Sequence, residues 1–155
     1  MAAGPRYLID TNILLRLSRF DDSQHSLIQE ALEQLDAQGC ESCFSLQNMA
    51  EFWNVCTRPV GRNGFGLSNA ETNERVEYVE RTMTFLPDSE QVYLIWRGLV
   101  VSNNVRGVQV HDARLVATMQ AHGIRHILTL NQPDFGPYTN ICAVHPSQLS
   151  FDGTG

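Results

Sequence analysis

Short apolar runs alternate along this chain with longer stretches whose apolar residues recur at helical spacing. The runs 6–9, 42–46, 126–130 and 141–144 read as strands, and Phe85-Leu86-Pro87 as a short extended segment. Such runs are too short for stable helices and are bounded by turn residues. Between them lie the helical stretches. One starts near Thr11 or Asn12 and fades between Ser18 and Asp22. The next spans 23–38, with Leu27, Ile28, Ala31, Leu32 and Leu35 on one face and Gly39 placed to close it. A third covers 46–57, where Met49, Ala50, Phe52, Trp53 and Cys56 supply the apolar surface and Pro59 prevents extension. Ser68 or Asn69 can cap a fourth that reaches Met83, and Asp88 or Ser89 a fifth that ends near Asn103. A sixth runs 113–120, opened by Asp112 and closed by Gly123. The glycine-rich segment 60–66 reads as a flexible rim, 131–135 as a turn, and 146–155 as a tail.

Strand and helix thus alternate, with no clear hairpin signal. That pattern predicts a mainly parallel sheet covered on both faces, a three-layer α/β/α sandwich. All 155 residues fit one such domain, with its core in 6–145. Apolar residues at 43% against charged residues at 18% favour a packed core over a disordered chain. No apolar run approaches the roughly 18 residues of a membrane-spanning helix. The N-terminus runs straight into the first strand without an evident signal peptide, so the expected location is the cytoplasm.

The formal charge of −6 argues against broad coating of a nucleic-acid duplex. It leaves room for nucleic acid bound through metal ions and a few arginines. All eleven basic residues are arginine, which excludes a Walker P-loop and any Schiff-base mechanism. Cys40 and Cys43 form a C-x-x-C without a second Cys/His pair, and Cys43 sits in an apolar run, so both read as core residues.

Asp10 ends the first strand, just where open α/β sheets place their ligands. Glu51 falls in the first turns of the helix after the second strand. Asp112 opens the sixth helix, and Asp134 follows the strand 126–130. Parallel topology can gather such element ends at one sheet edge. Four carboxylates there would raise one another's pKa and call for a cation, for which hard oxygen donors select Mg2+ or Mn2+. Each acid also has a structural reading: Asp112 as a helix-start charge, Asp10 and Asp134 as turn residues. Glu51, flanked by Ala50, Phe52 and Trp53, is expected in a largely buried segment, where a lone carboxylate is costly. The residue types alone leave a metal site and four unrelated acids both open.

Four segments carry a resemblance: Tyr7-Leu-Ile-Asp-Thr-Asn-Ile13, Ser45-x5-Glu51-Phe-x2-Val55-x2-Arg58-Pro59, His111-Asp-Ala-Arg-Leu-Val-Ala117 and Ile127-Leu-Thr-x-Asn131-x2-Asp134-Phe135. Together, in order and spacing, they resemble PIN-domain ribonucleases, most of all the toxins of VapBC-type toxin–antitoxin pairs. The resemblance implies a Mg2+- or Mn2+-dependent endoribonuclease with one or two ions. Asp10, Glu51 and Asp112 match its three near-invariant acids. The family's fourth acid falls at Asn131 here, and the later Asp134 is its alternative. Thr11, Asn12 and Ser45 match polar positions that order the pocket. The implied chemistry is metal-assisted attack of water, oriented by Asp10 or Asp112, on an RNA phosphodiester. The resemblance also implies a homodimer and a cognate antitoxin that inserts a basic group near the acids.

Arg114, and more weakly Arg16, Arg58 and Arg62, are candidate phosphate contacts; the plain alternative is a solvent-facing or salt-bridged role for Arg114 and a pairing with a nearby acid at the helix end for Arg58. His111 reads as a helix-start or packing residue. Trp53 and Trp96 lie in apolar stripes and suit a core or dimer face. Competing readings are a solitary ribonuclease without antitoxin and a non-catalytic PIN-like domain that binds RNA or protein. A dehalogenase-like phosphatase would want Asp at position 12 and a lysine, and a receiver domain also wants a lysine.

Overall fold

The computed structural model describes residues 4–149. Five strands form one parallel sheet: β1 (Arg6–Ile9), β2 (Glu41–Ser45), β3 (Thr84–Leu86), β4 (His126–Leu128) and β5 (Cys142–Val144). Six helices connect them: α1 (Thr11–Leu17), α2 (His25–Ala37), α3 (Leu46–Thr57), α4 (Asn69–Thr82), α5 (Glu90–Ser102) and α6 (Gln109–Ala121). This is the three-layer arrangement that the alternation predicts.

The strand order is β3-β2-β1-β4-β5. The chain moves from β1 outward through β2 to β3, then returns to place β4 on the other side of β1. In register, Leu8 stands beside Cys43 on one side and Ile127 on the other. The point where the winding reverses therefore lies at the carboxyl ends of β1 and β4, the position where open α/β sheets leave a crevice.

Side chains of β1 alternate between two apolar layers, as strand geometry requires. Tyr7 and Ile9 pack with Ile13, Ile28, Leu35, Phe52 and Val79 of the first four helices. Leu8 packs on the opposite face with Cys43, Leu115, Val116 and Met119. Cys40, Cys43 and Cys56 are buried free thiols, which agrees with the reading of the C-x-x-C pair as core. Burial pushes the thiols of Cys43 and Cys56 up to about 11, so neither is poised to react near neutral pH.

Three local features differ from the sequence expectation. The sixth helix starts at Gln109, so Asp112 lies within its first turn and does not open it. Residues 132–135 and 146–148 form 3-10 helices; the second buries Pro146, and Leu149 packs on the core, so 146–149 belong to the folded domain. Residues 150–155 of that expected tail lie outside the described residues. The glycine-rich segment is stitched to the end of α3 by bonds from Phe65 N to the Val55 carbonyl, Gly66 N to the Arg58 carbonyl and Leu67 N to the Cys56 carbonyl. Gly64 is buried there because a Cβ at that position would stand 2.0 Å from the Arg58 carbonyl oxygen. The segment is a tethered turn and not a flexible rim. Among the described residues, no helix is long and apolar enough to cross a membrane.

Candidate active site

Asp10 caps α1 at the carboxyl end of β1. Its own N–H donates to the Leu128 carbonyl (3.0 Å), so the sheet extends to the residue itself. Both carboxylate oxygens are held. Oδ1 accepts from Thr11 N (2.8 Å), and Oδ2 accepts from the Thr129 hydroxyl (2.7 Å). Thr129 is fully buried, and its Oγ1 accepts in turn from Asn131 N (3.0 Å). Asn12 Oδ1 accepts from Leu130 N at 3.4 Å, joining α1 to the exit of β4.

Glu51 reaches the same crevice from α3. Its Oε1 accepts from the Thr11 hydroxyl at 3.3 Å. Thr11 Oγ1 accepts from Asn48 Nδ2 (3.1 Å), and Asn48 forms a capping box with Ser45 at the start of α3. The buried face of α3 is Gln47, Asn48, Phe52 and Cys56. Glu51 lies off that face and is exposed, contrary to the buried setting expected from its neighbours in sequence. Helical rotation is the reason: Phe52 turns inward while Ala50 and Glu51 remain outside.

Asp112 comes from α6, whose first turn is pinned from two sides. Gln47 Nε2 donates to the His111 carbonyl, and Trp96 Nε1 donates to the Val110 carbonyl, each at 2.9 Å. Burial pushes the Asp112 carboxyl up to about 6, reinforced by the charges of Asp134, Asp10 and Glu51 and opposed by His111. Asp10 is also raised, first by burial and then by Glu51 and Asp134, while its bonds from Thr129 and Thr11 act the other way. Tyr138 is buried beside this group, and its phenol is raised by burial and by the Asp112 charge. Asp134 is exposed in the 3-10 helix Gln132–Phe135. The fold therefore brings Asp10, Glu51, Asp112 and Asp134 into one electrostatic group.

The donors are all carboxylate oxygens, the set that suits a hard divalent cation. Among the described residues no arginine forms an ion pair with them: the three ion pairs are Arg16–Asp22, Arg19–Asp21 and Arg114–Asp88. The chemistry of the set fits Mg2+ or Mn2+. Its geometry is open, since no three His, Cys, Asp or Glu side chains among the described residues stand arranged to hold an ion. Asp10 is held by two hydrogen bonds, whereas Glu51 and Asp134 are exposed.

Arg114 pairs with Asp88 at 2.9 Å and Arg16 with Asp22 at 2.8 Å. Arg58 donates from Nη2 to the Asn63 carbonyl, and its Nε is buried without a partner. Arg62 is exposed in the 3-10 helix Val60–Arg62. His111 is exposed and contributes its carbonyl to Gln47. Asn131 is exposed and meets the site through its N–H on Thr129.

Sequence reasoning missed Thr129, Asn48, Gln47 and Tyr138. For Thr129 the signal was its place one residue past β4, beside the strand end that carries Asp10. For Gln47 and Asn48 it was two amides on the inward face of an amphipathic helix.

The fold resembles chains from solved toxin–antitoxin systems. VapBC2 from Rickettsia felis, bound to a promoter DNA fragment, gives a TM-score of 0.70 at 14% identity, over 90% of this chain and 98% of that chain. VapBC from Salmonella typhimurium gives 0.67 at 14% identity, over 92% and 99%. VapC20 from Mycobacterium tuberculosis, a sarcin-ricin loop cleaving toxin, gives 0.57 at 17% identity, over 78% and 86%. At these identities the likeness concerns the fold alone. A comparison with curated proteins gives no match. The sequence profile of the PIN domain matches residues 7–133, a span that holds Asp10, Glu51 and Asp112 and ends just before Asp134. The chain belongs to the PIN domain family.

Proposed function

We propose that this protein is a Mg2+- or Mn2+-dependent endoribonuclease and the toxin of a type II toxin–antitoxin pair. The observation that carries the reading is the group of Asp10, Glu51, Asp112 and Asp134 at the reversal point of the sheet, in a chain of this family. The toxin complexes that share the fold, and the RNA-cleaving activity stated for VapC20, support the choice of RNA and of an antitoxin partner.

Asp10, Glu51 and Asp112 would hold the ion, with Asp134 as the further donor. A bound divalent cation supplies Lewis-acid stabilisation of charge on the phosphoryl oxygens. Asp10 presents a carboxylate whose direction is set by Thr11 N and Thr129 Oγ1. Asp112 accepts a hydrogen bond from the attacking water and orients it for in-line approach to phosphorus. One P–O bond forms as another breaks, and no side chain becomes covalently attached. With eleven basic residues against seventeen acidic ones, RNA binding would rest on the metal site and a small number of arginine–phosphate contacts.

The test is expression of wild type and Asp10→Asn in a bacterial host. Growth arrest with RNA cut at discrete sites by the wild type only is expected. Equal effects of both proteins, or intact RNA in arrested cells, would overturn the reading.

A further inference from the structure

We propose that Asn48 is a positioning residue of this site, whose buried carboxamide fixes the direction of a hydrogen-bond chain that ends as a donor on Glu51. The inference rests on the reading of Glu51 as a working carboxylate of the site.

Asn48 is fully buried in the first turn of α3. Its Oδ1 accepts from Ser45 N and from Ser45 Oγ, both at 2.9 Å. A backbone N–H can only donate, so this atom is the carbonyl oxygen and the other is the NH2 group. Nδ2 then donates to Thr11 Oγ1 at 3.1 Å. The Thr11 hydroxyl, occupied as an acceptor, points its single hydrogen at Glu51 Oε1, 3.3 Å away. The direction imposed by Ser45 N thus passes through Asn48 and Thr11 and arrives at Glu51 as a donor. Reversing it would strand a buried backbone N–H.

Capping alone does not explain this residue. A side chain at this position closes the capping box through its acceptor atom. Here the amide's other end reaches a different helix. It also lies on the buried face shared with Phe52 and Cys56, where a polar side chain is tolerated only when its bonds are satisfied. Both ends of Asn48 are satisfied. Thr11 N holds Asp10 Oδ1 at 2.8 Å, so the same threonine sets two acids at once.

The test uses Thr11→Val, Asn48→Leu and the double variant in the full chain. In metal-free protein the 13C resonance of the Glu51 carboxyl is followed by NMR. It should shift in both single variants and no further in the double. With RNA and Mg2+, each single variant should lower kcat about tenfold, with KM changed by less than about twofold, and the double no more than the worse single. A Glu51 resonance unmoved by Asn48→Leu, or kcat losses that multiply, would overturn the proposal. If Asn48→Leu does not fold, Asn48→Asp keeps the acceptor for Ser45 N and turns an acceptor toward Thr11. It should move the Glu51 resonance as Thr11→Val does, and an unmoved resonance would overturn the proposal. If the wild type cuts no RNA, the proposed function fails while the resonance still decides the role of Asn48.

Discussion

Asp112 is the residue on which burial and three neighbouring acids converge, and its carboxyl is pushed up to about 6. A raised acid binds its proton more tightly in the folded chain than in the unfolded one. Its repulsion is fully present above about pH 6 and is relieved as the pH falls toward the unfolded value near 3.8. Metal-free protein should therefore gain thermal stability between pH 7 and pH 5. Below that range Asp22, whose carboxyl burial raises but the bonds from Arg16 and Gln24 N and the charges of Arg16 and Arg19 together hold low, loses stabilisation and opposes the gain. By the same reasoning Asp112→Asn should raise the melting temperature of metal-free protein at pH 7, by about 2–4 °C for each kcal/mol of repulsion removed. A calorimetric scan of both proteins decides it; a lower melting temperature for Asp112→Asn would contradict the electrostatic account. At this scale the acids were legible because each lies at, or within a turn or two of, the end of a recognisable element. Thr129 was not, because its partner Asp10 lies far away in sequence and only the pairing of β1 with β4 joins them.

At the scale of elements, α3 holds the site together. Gln47 ties it to α6 and Asn48 ties it to α1, so adjacent amides in one turn connect three acid-bearing helices or strand ends. Strand and helix positions were legible from apolar periodicity, since burial and period are linked. The start of α6 was not: Val108 and Gln109 carry no capping side chain, and the helix is anchored instead by contacts from Gln47 and Trp96. The far end of α3 offers a separate test. Gly64→Ala would drive a Cβ into the Arg58 carbonyl at 2.0 Å and Arg58 Cβ at 2.5 Å. Because the nearest obstacle is backbone, the variant should lose about 1–3 kcal/mol, read as a lower urea midpoint. An unchanged midpoint would return the 60–66 segment to a flexible rim.

The whole molecule explains why these acids meet. The reversal of winding between β1 and β4 opens a crevice at the ends of those strands, with helices packed on both faces of the sheet. The general three-layer plan followed from alternating patterns, but the strand order did not, because periodicity says nothing of which strands are neighbours. If these four acids hold the proposed ion, folding should be sensitive to divalent ions. Mg2+ at 100 times its dissociation constant should stabilise the wild type by about 2.7 kcal/mol and leave Asp10→Asn nearly unmoved, checked by melting in increasing Mg2+. The most direct measurement is cleavage of end-labelled RNA by purified wild type and Asp10→Asn, each with Mg2+, Mn2+ or a chelator. Wild type should give discrete cuts with either ion and none with chelator, and Asp10→Asn should lose at least about a hundredfold. Cutting that survives both the chelator and Asp10→Asn would contradict metal-dependent cleavage at this site.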